Sequence, residues 1–161
     1  MAAKQTKTNA MRKLETEKVA YTFHEYDHED GAIDGVSVAG KLGQDPAQVF
    51  KTLVTQGASK NFYVFVIPVA AELDLKKAAK AVGEKSVAML HVADLLKTTG
   101  YIRGGCSPVG MKKQFVTVID ASAQDKPTVM VSAGRIGAQV ELAPADLARV
   151  TKARFESITF A

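Results

Sequence analysis

Lys51 stands in the middle of an apolar, β-branched run, Val49-Phe50-Lys51-Thr52-Leu53-Val54. In the two-residue period of a strand, Val49, Lys51 and Leu53 share one face, and Phe50, Thr52 and Val54 share the other. An ammonium group held between two apolar neighbours has two possible fates. If its face looks inward, it must meet an anion or lose its charge, because an unpaired buried charge is too costly to keep. A phosphate or an ester-bearing substrate at the bottom of a cleft would meet that need. If its face looks outward, the side chain snorkels to water and discourages edge pairing. The strand alone leaves both readings open.

Two loops could also do chemistry. Gly104-Gly105-Cys106-Ser107-Pro108 has two residues free to adopt positive φ and to turn amides and carbonyls towards a ligand, with proline stiffening its far side. Ser132-Ala133-Gly134-Arg135-Ile136-Gly137 is a second loop of the same kind. Neither is a phosphate-cradling P-loop, since no Gly-Lys-Ser/Thr follows, and neither has the βαβ setting of a dinucleotide fingerprint. Taken singly, each also reads as a hairpin turn. Cys106 is the only cysteine, so it forms no internal disulfide framework and no zinc pattern. As a nucleophile it would need a base, and His24, His28 and His91 form no recognisable signature with it, so it reads as a packed side chain. With three scattered histidines, no metal and no cofactor are expected.

The elements that must position these residues follow from periodicity and punctuation. Residues 1–8 read as a disordered basic tail and residues 9–161 as one domain. Asn9 reads as the cap of a helix burying Met11 and Leu14, and Tyr21 to Tyr26 as a strand. Asp27 to Gly35 is an acidic loop placed to border a pocket, leading into a short helix around Val36 to Leu42. Asp45-Pro46 is a helix-start signal that feeds the Lys51 strand. Phe62 to Ile67 is apolar on both faces and should be a central strand. Asp74 caps a helix over Leu75 to Val82, with Leu75, Ala78, Ala79 and Val82 as its buried stripe and Gly83 just past its end. Further on come a short strand at Val87 to Met89 and a helix around Asp94 closed by Gly100. Strands follow at Val116 to Ile119, Thr128 to Val131 and Gln139 to Leu142, then a helix from Pro144 and a last strand from Arg154. The predicted class is α+β, a single domain with a mixed, mainly antiparallel, curled and barrel-like sheet flanked by short helices.

Composition limits the function. The chain has 161 residues, 47% of them hydrophobic, and a formal net charge of +4, enough for a real core and ordinary for a globular protein. No run approaches the roughly 18 apolar residues of a membrane span, and no apolar export segment follows the basic start, so the cytoplasm is the expected compartment. Lysine and arginine cluster at 4–18, 76–85 and 112–113, acidic residues at 27–34. Such segregation could form a basic face for an anionic partner, or simply solvated surface.

Considered together, Lys51 and the two glycine loops resemble the YbaK family of stand-alone aminoacyl-tRNA deacylases, itself similar to the editing domain of bacterial prolyl-tRNA synthetases. The resemblance runs through Asp45 to Leu53, Pro68-Val69-Ala70 with Leu73 to Lys80, Thr99-Gly100-Tyr101 with Gly104 to Lys113, and Ser132 to Gly137 with Glu141-Leu142. It covers nearly all of the chain from about Asn9. It implies that cysteine is removed from mischarged Cys-tRNA(Pro), with Lys51 as the residue on which activity depends, and that the substrate's own thiol attacks its ester to leave a cyclic thiolactone. Such an enzyme needs a water-excluding pocket more than it needs a triad. The resemblance further implies substrate contacts from Gly104 and Gly105, with Ser107, Pro108 and Gly134 in the matched loops and Tyr26, Thr52 and Ser132 lining the pocket. Mischarged tRNA is the implied partner and prolyl-tRNA synthetase a second one. Two departures stand out: Ala133 replaces the first of two glycines found in many relatives, and Gln139 occupies a position often acidic in the family. Two alternatives remain, a hydrolytic deacylase of the Ala-tRNA(Pro) type and a non-catalytic RNA- or protein-binding module on the same scaffold.

Overall fold

The computed structural model describes residues 7–32 and 34–160. β3 (Phe62–Pro68) is the centre of the molecule. Its paired neighbour β2 (Phe50–Gly57) runs antiparallel with Lys51 opposite Ile67 and Leu53 opposite Phe65. β4 (Val87–Met89) lies beyond β2, and β5 (Val116–Asp120) and β8 (Arg154–Glu156) lie on the far side of β3, giving the order β4-β2-β3-β5-β8. β3 pairs β5 in parallel, and β5 pairs β8 in parallel. A second sheet joins β1 (Thr22–Glu25), β7 (Ala138–Leu142) and β6 (Val129–Ser132), all antiparallel.

The unbroken apolar run of β3 has a direct cause. Tyr63, Phe65 and Ile67 bury one face against Ala78 and Ala79 of α3 (Leu75–Val82) and against Ile158. Val64 and Val66 bury the other face in a larger core shared with Phe50, Val54, Val131, Val140 and Leu142. α1 (Asn9–Thr16) closes this core with Ala10, Met11 and Leu14, and α5 (Pro144–Thr151) with Leu147 and Val150. A strand covered on both sides has no reason to alternate polar with apolar residues.

Helix ends follow the expected chemistry with one change. Asp34 caps α2 (Gly35–Leu42), Asp45 caps the 3-10 turn Pro46–Gln48 and Asp74 caps α3. α1 is capped by Thr8 and not by Asn9, which is its first helical residue. Either residue type makes a good cap; Thr8 serves because its hydroxyl accepts from Met11 N and donates across the fold to the carbonyl of Ala133. The expected tail thus lies outside the described residues from 1 to 6, while Lys7 pairs with Glu15. Leu75, predicted to share the buried stripe of α3, is 41% exposed, because it sits in the first turn of the helix.

The fold is α+β and mainly antiparallel, as expected. Among the described residues, however, the strands form two open ladders and not one closed, barrel-like sheet; only a parallel bridge between Val49 and Met130 joins them. The length of β4 explains this. It covers β2 only from Thr55 to Gly57, so the first half of that edge is left without a ladder partner and β6 reaches it at a single point. No helix among the described residues is long and apolar enough to cross a membrane.

Candidate active site

The uncovered start of β2 borders a cavity of about 550 Å³. Its walls come from β2 itself, from Tyr26 and the acidic loop, from the start of α2, and from both glycine loops. Lys51, Thr52, Tyr26, Gly104 and Ser132 all line it, so distant segments bring five of the nine predicted site residues together. Lys51 is half-buried, and its ammonium has no hydrogen bond or ion pair among the described residues. Thr52 Oγ1 is buried with no partner. Lys51 is thus an unpaired donor at the hollow, ready to meet a ligand, while the Thr52 hydroxyl is buried in the wall itself.

The other four predicted residues lie in the expected loops but outside the cavity lining. Gly105 is buried where the two loops touch: a Cβ built on it would fall 2.8 Å from Ile136 N and 2.9 Å from Arg135 C. Its missing side chain is a packing requirement. Gly134, at φ +100°, lies under Tyr101, whose Cε1 would be 2.8 Å from a Cβ. Ser107 is fully buried and accepts from Val109 N. Pro108 faces a second, smaller hollow. These residues hold the loops in place from behind.

Several lining residues were not singled out from sequence. Asp34, Val36, Val38 and Val69 enter with α2 and the end of β3, and Arg103 enters just before Gly104. Asp34 is committed to its helix, accepting from Ser37 N and Ser37 Oγ, which hold its carboxyl below the usual range. Gln139 is buried in the wall, and its Oε1 accepts from Gln44 Nε2 at 2.8 Å. A neutral amide therefore shares the cavity lining with Lys51 and adds no charge to it.

The cavity offers no activated nucleophile of its own. Cys106 lines it, but burial pushes the thiol up to about 11, far from the low-pKa thiolate of a reactive cysteine. No imidazole is among the lining residues. His24 is bound to Glu141 Oε1 at 2.8 Å, and His91 caps α4 (Val92–Thr99) by its backbone. Ser132 Oγ accepts from Gly134 N. What remains is two cations, Lys51 and Arg103, three hydroxyls from Tyr26, Thr52 and Ser132, an amide and apolar walls, which can bind, orient and exclude water.

A curated relative from Enterococcus faecalis, provisionally named Cys-tRNA(Pro)/Cys-tRNA(Cys) deacylase EbsC, is 51% identical over 161 residues, covering 99% of this chain and 98% of the relative. A solved structure described as a provisional trans-editing enzyme for prolyl-tRNA synthetase superposes with a TM-score of 0.83 at 23% identity, over 95% of this chain and 96% of that one. A hypothetical protein of known structure reaches a TM-score of 0.86 at 21% identity, over 95% and 100% of the two chains; at these identities the two structures speak to the fold. The family model of the aminoacyl-tRNA editing domain matches residues 32–150, a span that holds Lys51, both glycine loops and almost every wall of the cavity, and the chain belongs to that family.

Proposed function

We propose that this protein is a trans-editing deacylase that removes cysteine from mischarged Cys-tRNA(Pro). The observation that carries the reading is the pairing of a free Lys51 ammonium with a cavity that holds no base or activated nucleophile. The name of the 51% identical relative supports the substrate. A substrate that brings its own nucleophile suits such a site. The cysteinyl thiol attacks its ester carbonyl, the carbonyl–ribose oxygen bond breaks, the thiol proton leaves with the ribose hydroxyl, and cysteine departs as a thiolactone. The protein's part is to hold sulfur against carbonyl and to keep water out. Lys51 meets the charge that develops on the carbonyl oxygen or the anionic 3′ end, with Tyr26, Thr52, Ser132 and the Gly104 backbone orienting the aminoacyl group. Gly105, Ser107, Pro108 and Gly134 support the reading from behind, as the frame of the two loops. Discrimination among tRNAs is supplied by docking on prolyl-tRNA synthetase, and the reaction takes place in the cytoplasm, where its substrate is made.

The test supplies Cys-tRNA(Pro) and Ala-tRNA(Pro) separately and identifies the product. Thiolactone from the first, with Lys51→Ala slower by at least about tenfold, or roughly 1.4 kcal/mol at the transition state, is the expected result. Free alanine as the main product would make the protein a hydrolytic editor. No ester turnover whether residue 51 is lysine or alanine would leave only a binding module, and equal turnover with either would remove Lys51 from the chemistry.

A further inference from the structure

The cavity holds a second cation that the proposed chemistry does not use. Arg103 is exposed, lines the cavity and has no hydrogen bond or ion pair among the described residues. The carboxylate of the same lining, Asp34, is occupied as a helix cap. The loop that begins at Arg103 then continues to a second basic place. Cys106 lines the cavity, and two residues later Pro108 lines a hollow of about 210 Å³ shared with Lys13 of α1 and Lys113. Two residues of chain span at most about 7 Å, so one loop forms a wall of both hollows. Lys113 has no partner among the described residues, and Lys13 reaches Glu17 only at 3.6 Å.

We infer that the loop from Arg103 to Lys113 is a track for the phosphodiester backbone of the substrate's acceptor strand, with Arg103 taking a phosphate near the terminal nucleotide and Lys13 and Lys113 taking phosphates farther from the ester. The inference rests on the aminoacyl-tRNA reading of the cavity. Continuity favours a nucleic acid over an acidic protein: the occupant of the cavity is covalently attached to a chain of phosphates, which must leave along one of the walls. This wall carries unpaired cations at both ends. A guanidinium binds a phosphate in a planar, two-point manner, and lysines act as point charges behind it.

The experiment compares wild type, Arg103→Gln, Arg103→Lys and the double variant Lys13→Gln/Lys113→Gln. It measures turnover of Cys-tRNA(Pro) and of cysteine ethyl ester, which has no phosphate, and binding of a short uncharged RNA hairpin with the same acceptor strand, all over a salt series. Expected are a KM for the tRNA about fivefold higher in Arg103→Gln and in the double variant, a loss on tRNA several times that on the ethyl ester, and a slope of log affinity against log salt shallower by about 0.7 per phosphate contact removed. Arg103→Lys should recover most of the slope. Unchanged salt slopes with normal turnover would overturn the track and keep the deacylase. Hairpin binding that responds to these substitutions in a protein that turns over neither ester would keep the track and overturn the deacylase. A wild-type protein that neither binds the hairpin nor turns over the esters would overturn both, and equal losses on tRNA and ethyl ester would overturn the track alone.

Discussion

The ammonium of Lys41 lies 2.7 Å from Asp30 Oδ1 and, at the same time, 2.6 Å from the carbonyl of Asp27 and 2.9 Å from that of Ala32. One side chain at the end of α2 thus gathers three acceptors of the acidic loop, which in turn supplies Gly31 and the Asp34-Gly35 corner to the cavity. Lys41→Met should free the loop without touching the cavity wall. We expect a KM about three to ten times higher, a smaller change in kcat, and faster amide exchange at Glu29 and Ala32, whose N–H groups bond to Asp27 and Asp30 within the same loop. Unaltered exchange would show that the loop holds itself.

Gly105 and Gly40 make opposite predictions for the same substitution. Alanine at 105 would drive a Cβ to within 2.9 Å of the Arg135–Ile136 backbone, where no flexible side chain can give way. The two loops must then part, at a cost of about 2 kcal/mol or more and with at least a tenfold loss in kcat/KM. Gly40 is in the interior of α2 with nothing within 4 Å of a built Cβ, so Gly40→Ala should stabilise by about 0.5–1 kcal/mol through helix propensity alone. Denaturant midpoints of the two variants measure both effects. A neutral Gly105→Ala would mean that the loops are free to move apart.

The contrast shows which features could be read from the chain. Local signals were legible: Asp45 and Asp74 cap what they should, Gly83 ends α3 in the left-handed region, and the two-sided apolar run of β3 marks the centre of the sheet. Pairing across long separations was not, because nothing local says that β3 and β5 run parallel while β6 crosses to another sheet. The site divides in the same way. Lys51 and Thr52 share a strand and reach the cavity with it, whereas the loop that carries Gly104 also carries Gly105 and Ser107, and only tertiary packing decides which of the three faces the ligand. In sequence, Gly105 is a loop glycine free to turn its amide towards a ligand; in the fold, the space a side chain would need there is taken by the backbone of the other loop.

Cys106 gives a prediction in pH. Burial raises its thiol from 9.0 to about 11. A group whose folded pKa lies above its unfolded value contributes stability that is whole below the unfolded pKa and lost as pH rises through the folded one. The window is therefore pH 9 to 11, where the wild type should lose more stability with rising pH than Cys106→Ala does. The same shift lowers the thiolate fraction at pH 8 from roughly one in ten to one in a thousand, so alkylation by iodoacetamide should be about a hundredfold slower than in the unfolded chain. Rapid labelling of the native protein at pH 8 would contradict the burial of this thiol.

Thr52 sets stability against activity. Its Oγ1 is buried in the cavity wall without a partner among the described residues, and a buried hydroxyl left unsatisfied costs about 1–3 kcal/mol. Valine has nearly the same shape and no such group to satisfy. Thr52→Val should therefore raise the stability of the free protein by about 1 kcal/mol, which a shift in denaturant midpoint at constant slope would show. If the hydroxyl finds its partner on the aminoacyl group, the same variant should lose about five- to tenfold in kcat/KM for Cys-tRNA(Pro), because the donor then missing is one that the bound state uses. Thr52→Ser, which keeps the hydroxyl, should recover most of that loss while giving up some packing. A variant that is both less stable and fully active would mean that Oγ1 is already satisfied in the free protein, and that the cations Lys51 and Arg103 carry the unpaired polarity of the wall.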